Sequence, residues 1–202
     1  NFTVNGTYRN NNNMLAMRAQ RAVTAYQAEF NEMFVDGEFG SSRSEKNGVS
    51  FSQDGVGIQI IFSPEDEPVP ALIDAINNAE SSIRFMTFSF TLDEVGQAVL
   101  ERANDGIEVQ GLFNLVGSRT QYSELPLLFC AGLPILQDGN PYTLHHKVFI
   151  IDDEIVLTGS FNISSNATES NDENMVIIQD RDVAAAYVAE FERVQSQATT
   201  PP

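Results

Sequence analysis

The chain has 202 residues, 42% of them hydrophobic, with 28 Asp and Glu against 11 Lys and Arg, for a net charge of −17. That is enough apolar material for a real core in one domain or two, and no apolar run approaches the roughly 20 residues that span a bilayer. The charge argues against non-specific nucleic-acid binding, which rests on Lys and Arg neutralising phosphates, and the lone Cys130 reads as a small core residue that offers no disulfide and no cysteine metal site.

In chain order, residues 1–30 belong to a repeat taken up below, and the polar, Gly- and Ser-containing stretch 36–54 reads as a linker. A strand over 57–62 is followed by a helix over 68–79, whose Ile73, Ile76 and Ala79 form a core-facing stripe. A strand (83–90), a helix (92–103), a strand (107–113) and a helix near 123–130 come next. Residues 144–151 and 155–160 read as a buried hairpin around the polar turn Asp152-Asp153-Glu154, because the apolar run 148–151 is continuous and β-branched. A strand at 175–178 and a helix over 183–194 complete the unit, and 197–202 reads as a disordered tail. Alternating strands and helices with an antiparallel hairpin predict an α/β fold with a mixed sheet flanked by helices.

The hairpin carries the chemistry. It holds both histidines of the chain and one of its two lysines. Side chains two apart share a face of a strand, which sets His145 beside Lys147 on one strand and Thr158, Ser160 and Asn162 in a row on the next. Closing the hairpin gathers an imidazole, a cation, a hydroxyl and an amide around one space, with Gly159 leaving room for a ligand to approach the backbone. Such a set suits phosphate: cation and neutral donors stabilise charge on nonbridging oxygens, and the imidazole can attack phosphorus or move a proton. His146 alternates to the opposite face, where a supporting role is expected.

The pattern His145-x-Lys147-x4-Asp152-x6-Gly159-Ser160-x-Asn162 resembles the HKD motif of the phospholipase D superfamily, whose phosphodiesterases work through a phosphohistidine without a metal or other cofactor. A bare His-x-Lys-x4-Asp arises by chance in about one chain in a hundred of this length; the Gly-Ser, the Asn and a downstream Glu make chance a poor explanation. The resemblance covers about residues 55–195 and implies a phospholipase D-like sandwich. It implies catalytic roles for His145, Lys147 and Asp152, phosphate contacts from Lys147, Ser160 and Asn162, and Glu173 as the carboxylate that fixes the tautomer of His145. Asp152 can equally serve the turn. The sequence Gly159-Ser160-Phe161-Asn162 and the run Asn171-Asp172-Glu173-Asn174 look more like the bacterial endonuclease branch than the lipid-specific branch. The expected activity is therefore of nuclease type; the alternatives are a phospholipase D acting on headgroups, for which no apolar interfacial patch is legible, and a phosphate-binding module without turnover. Arg84 and Arg119 are candidates for a local positive channel.

Laid on itself, the chain matches positions 1–30 to positions 162–191 without a gap, with identities at positions 1, 5, 7, 10, 13, 14, 25, 26, 28, 29 and 30. Unrelated segments share about two of 30. Residues 1–35 are therefore expected to be the tail of another HKD unit, with 55–196 a complete one. The resemblance implies two motifs joined across a pseudo-twofold axis, so the partner is a second HKD-bearing segment or chain: the other part of a longer or nicked polypeptide, or a second copy of this one. By the same resemblance the N-terminal histidine attacks and His145 is the general acid, an order the residues do not fix. In the repeat Asn1 matches Asn162 and Asn12 matches Glu173, so Asn1 is a candidate to complete the phosphate cradle, and one carboxylate has become an amide.

Overall fold

The computed structural model describes residues 3–42 and 45–202; Asn1, expected at the phosphate cradle, lies outside the described residues. Eight strands form one mixed sheet: β1 (Val49–Gln53), β2 (Val56–Ser63), β3 (Ser82–Thr87), β4 (Glu108–Phe113), β5 (Ile135–Gln137), β6 (Lys147–Ile151), β7 (Ile155–Gly159) and β8 (Glu173–Gln179). Their spatial order is β1-β2-β8-β7-β6-β3-β4-β5. The pairs β3–β4 and β4–β5 are parallel, and every other neighbouring pair is antiparallel. The helices are α1 (Val4–Tyr8), α2 (Gln20–Asn31), α3 (Pro68–Asn77), α4 (Asp93–Asn104), α5 (Leu125–Cys130), α6 (Ser165–Glu169) and α7 (Arg181–Gln195). No helix among the described residues is long and apolar enough to cross a membrane.

Both faces of the sheet are covered, which explains the unbroken apolar run of β6. On one face α3, α4 and α5 close over a cluster centred on Phe85, whose ring stacks on Phe149 at 5.4 Å and meets Phe90 and Phe113 edge-on. Gly111 makes room for that ring, since a Cβ there would stand 2.1 Å from it. On the other face α7 packs Ala184, Tyr187 and Phe191 on Val148, Ile150 and Val156, while Ala22 and Ala25 of α2, with Ala19 just before it, pack on Ile58, Ile60 and Phe62. Helices α1 and α6 begin at matched positions of the repeat, Val4 and Ser165, and so do α2 and α7, at Gln20 and Arg181. The repeat thus extends to the placement of these helices, although residues 12–18, the counterpart of β8, form no strand.

Several expectations change. The stretch 36–54 is not only a linker: it contains β1, joined to β2 by Asp54 and Gly55, both with positive φ as a tight hairpin turn requires. The terminal residues are tied rather than disordered, because Thr199 and Gln137 exchange two backbone hydrogen bonds of 2.8 Å and extend the β5 edge. Cys130 ends α5 with its side chain exposed, not in the core. The N-terminal segment is stitched to the hairpin at Asn11: Asn11 N donates to Thr143 O at 2.9 Å and His145 N to Asn11 O at 2.8 Å.

Asp152, expected among the catalytic residues, lies at the opposite end of β6 from His145. The five residues of that strand hold the two ends about 13 Å apart. In the left-handed conformation (φ 55°) it accepts from the amides of Glu80, Ser81 and Ser82 and from the Ser81 hydroxyl, at 2.7 to 2.9 Å. Burial pushes its pKa up, but these bonds outweigh it and hold the carboxyl below its usual range. Asp152 therefore fastens the entry of β3 to the β6–β7 turn. Asp152→Ala is expected to lower stability by about 1–2 kcal/mol at pH 7 in urea unfolding. A depressed carboxylate pKa stabilises only where the group is ionised, so the gap to wild type closes below about pH 4.

Candidate active site

The motif hairpin and the N-terminal segment together enclose a cleft of about 470 Å³ lined by His145, Lys147, Ser160, Asn162 and Glu173, along with Asn12, Asn13, Leu15, Tyr26 and Asn174. Among the described residues its lining carries one ammonium and one carboxylate. The structure brings together five of the six predicted site residues; the sixth, Asp152, serves the turn. Arg84 does not belong here either, since it pairs with Asp153 beside the far turn.

Lys147 begins β6, opposite Thr87 of β3, and is only 8% exposed. Its ammonium donates to His145 O and lies against His145 Nε2, both at 3.0 Å, and it sits 4.9 Å above the Phe88 ring. Phe88 also packs edge-on against the His145 ring at 4.8 Å. An ammonium has no lone pair to offer, so the nitrogen facing it must accept; Nε2 is therefore unprotonated and the ring proton belongs on Nδ1. Burial, then the nearby Lys147 charge, lowers the His145 pKa to about 4. Burial lowers that of Lys147 to about 8, opposed by the carboxylate of Glu173. At neutral pH the pair is a neutral imidazole beside an ammonium. Glu173 also accepts from Asn171 Nδ2 at 3.2 Å.

Ser160 follows the end of β7. Its Oγ accepts from Asn174 N at 3.0 Å and from Asn174 Nδ2 at 3.2 Å, while Tyr26 donates its hydroxyl to Asn174 Oδ1 at 3.0 Å. Gly159, expected to admit a ligand, instead admits the neighbouring strand: a Cβ there would lie 2.1 Å from Asn174 O, which accepts from both Ser160 N and Phe161 N. The Oδ1 of Asn162 is buried with no hydrogen-bond partner among the described residues, an acceptor awaiting a donor.

His146 is buried on the opposite face, as alternation requires. Its Nδ1 lies 3.2 Å from Asn13 Oδ1 and its Nε2 3.0 Å from Glu190 Oε1. Burial pushes the Glu190 carboxyl up, but hydrogen bonds from Arg193 and His146 win and hold it at about 2. Asn13 also donates to Thr158 Oγ1 at 3.0 Å and to Tyr187 Oη at 2.7 Å. Asn13, Tyr26, Asn174 and Phe88 were not identified as site residues from the sequence. A signal for three of them existed, since positions 13 and 26 are repeat identities and Asn174 is the counterpart of Asn13.

Residues 72–195 match the family model described as "Cardiolipin synthase, PLD-like domain". The mitochondrial cardiolipin hydrolase of Chlamydomonas reinhardtii is 30% identical over 133 residues, which cover 66% of this chain and 60% of that protein. The phospholipase D of Rickettsia prowazekii is 28% identical over 160 residues, 79% of this chain and 78% of its own. The crystal structure of Nuc from Salmonella typhimurium, a phospholipase D family member, superposes with a TM-score of 0.67 at 28% identity, covering 71% of this chain and 97% of that one. The chain spans 60% of the algal cardiolipin hydrolase and 50% of the human one.

The electrostatics can be checked by titrating the imidazole 15N resonances. The His145 ring is expected to protonate with a midpoint near 4 and to shift again near pH 8 as Lys147 loses its proton. A single midpoint close to 6.5, the ordinary histidine value, would contradict the buried, cation-flanked environment.

Proposed function

Since the chain belongs to the phospholipase D superfamily, we propose that it is the half-site of a metal-independent phosphodiesterase in which His145 is the nucleophile. The observation that carries this reading is the neutral imidazole whose Nε2 lone pair faces the Lys147 ammonium. A nonbridging phosphate oxygen that takes over the ammonium's hydrogen bond releases that lone pair for attack on phosphorus. Nε2 then forms a bond to phosphorus as the bond to the leaving oxygen breaks, and a general acid supplies that oxygen with a proton. A group with a pKa of about 4 is already deprotonated at neutral pH and has no proton to give, so the proton comes from a second HKD motif, on this polypeptide or another. This reverses the order implied by the sequence resemblance. Water next attacks the phosphohistidine, gives up a proton to the same acid–base group and frees His145. Glu173 accepts the Nδ1 proton in a hydrogen bond as the ring becomes cationic, Ser160 donates to phosphate, and Asn162 Oδ1 accepts from the attacking water. Residues 1–35 are proposed to be the end of an equivalent unit.

The substrate read first is a nucleic-acid phosphodiester. In its support, the lining is mostly amide, hydroxyl and charged groups, which suits sugar-flanked phosphate better than acyl chains. A phospholipid is the second reading, favoured by an apolar surface not legible in the sequence: Met14 and Phe30 are exposed, Phe30 stacks on Phe34 at 5.2 Å, and Leu15 lies at the cleft.

The test incubates the protein, with its second motif present, with single-stranded DNA, RNA, phosphatidylcholine and bis-p-nitrophenyl phosphate in EDTA. Nucleic-acid cleavage that survives EDTA and drops by at least about 10³-fold in His145→Ala is expected, and acid-labile phosphate on His145 should be trapped by rapid quench. Turnover of lipid alone selects the second reading. Dependence on a divalent metal would sink both.

A further inference from the structure

Two hydrogen bonds in the site are exchanged between the repeats. Tyr26 of the first repeat bonds Asn174 of the second at 3.0 Å, and Tyr187 of the second bonds Asn13 of the first at 2.7 Å. Asn13 and Asn174 are counterparts in the repeat, and so are Tyr26 and Tyr187. Residue i of one copy touches j of the other, while j of the first touches i of the second. That is the signature of an isologous twofold contact, here inside one chain.

Only one of the two exchanged pairs reaches the phosphate-facing hydroxyl. A serine hydroxyl has one donor and two lone pairs. Asn174 occupies both lone pairs of Ser160 Oγ, one with its backbone N–H and one with its side-chain amide. The hydroxyl proton is then left to point into the cleft that Ser160 lines. The arrangement holds only while the Asn174 amide keeps its nitrogen toward Ser160; turned over, its oxygen would capture the serine proton. A phenol is a better donor than acceptor, and the Tyr26 hydroxyl donates to Oδ1, which favours the orientation that frees the serine proton. Burial raises the Tyr26 pKa and keeps it a donor across the physiological range. The Tyr26 ring is held separately, edge-on to Phe62 at 5.1 Å.

We propose that Tyr26 is a positioning residue for phosphate recognition, acting through Asn174 to aim the Ser160 hydroxyl, so that the donor strength of one repeat is set by a side chain of the other. The inference rests on the half-site reading above and adds to it a dependence of phosphate affinity on the seating of α2.

Inorganic phosphate is the probe, its binding to the full chain followed through the His145 ring resonances at pH 7. Lys147→Met is expected to abolish binding. Tyr26→Phe keeps the ring packing and removes only the hydroxyl, and is expected to weaken phosphate binding about three- to tenfold, in the range of one hydrogen bond. Ser160→Ala should weaken it by a similar factor, and Tyr26→Phe in the Ser160→Ala background should add nothing, because the two act in series. Gln27→Ala, on the exposed side of α2 with its amide on Asn31, should bind as wild type does. If wild type binds phosphate and Lys147 matters, but Tyr26→Phe binds equally well or its effect adds in full to that of Ser160→Ala, the positioning role is overturned and the half-site reading stands. If phosphate does not bind, or binds regardless of Lys147, the half-site reading falls and takes this inference with it.

Discussion

The ammonium of Lys147 is almost wholly out of water, and a buried cation persists only if neighbouring groups replace its hydration. The groups that replace it are those a phosphodiesterase needs. The carbonyl and ring nitrogen of His145 accept from it, the face of Phe88 lies under it, and Glu173 supplies opposite charge. Burial and then the same ammonium depress the pKa of the imidazole, and the contact with Nε2 fixes its tautomer. Imidazole, cation and carboxylate are thus not three independent placements. They follow from fitting one charged side chain at the mouth of a fully covered strand, and β6 can be apolar along its remaining length because its single polar end opens into the cleft.

Covering both faces of the sheet gives the helices their second role. Helix α7 seals the strands under the motif, and α2 does the same for the β1–β2–β8 side with a shorter stripe of alanines. The segment leading into α2 runs beside residues 143–145 and puts Asn13 against His146, so the floor of the cleft is shared between the two repeats. The same packing closes the core and shapes the cleft, with Lys147 and Glu173 on strands and His145, Ser160 and Asn162 in the segments that adjoin them.

What could be read in the sequence follows the strength of local signals. The β6–β7 hairpin was legible because a β-branched apolar run and a polar turn allow few other folds, and strand alternation placed His145 and Lys147 on one face and His146 on the other. The edge strand β1 was missed although Asp54-Gly55, flanked by alternating residues, is a strong hairpin signal; the surrounding polar composition outweighed it. The three residues of β5 and the bridge at Thr199 carry no periodicity at all, and depend on a neighbouring strand that no local window contains. Asp152 was misplaced because a motif records spacing along the chain, whereas a strand sends its two ends to opposite sides of the sheet. The asparagine and tyrosine pairs were present among the repeat identities, but a repeat states which residues correspond and not which ones touch.

Among the corresponding residues that differ, one pair changes charge where both members line the cleft. Glu173 and Asn12 occupy equivalent positions of the two repeats. A site assembled from two identical chains would be bound by symmetry to carry that carboxylate twice, and every anion it admitted would meet both. At a separation of 4 Å and a surface-like dielectric, a second unit charge repels a phosphate by about 4 kcal/mol. Duplication within a polypeptide lifts the constraint, because each copy can mutate alone: one acid is kept to serve the imidazole while its twin becomes neutral. In a chain carrying a net charge of −17, a neutral Asn12 leaves the cleft with one carboxylate instead of two.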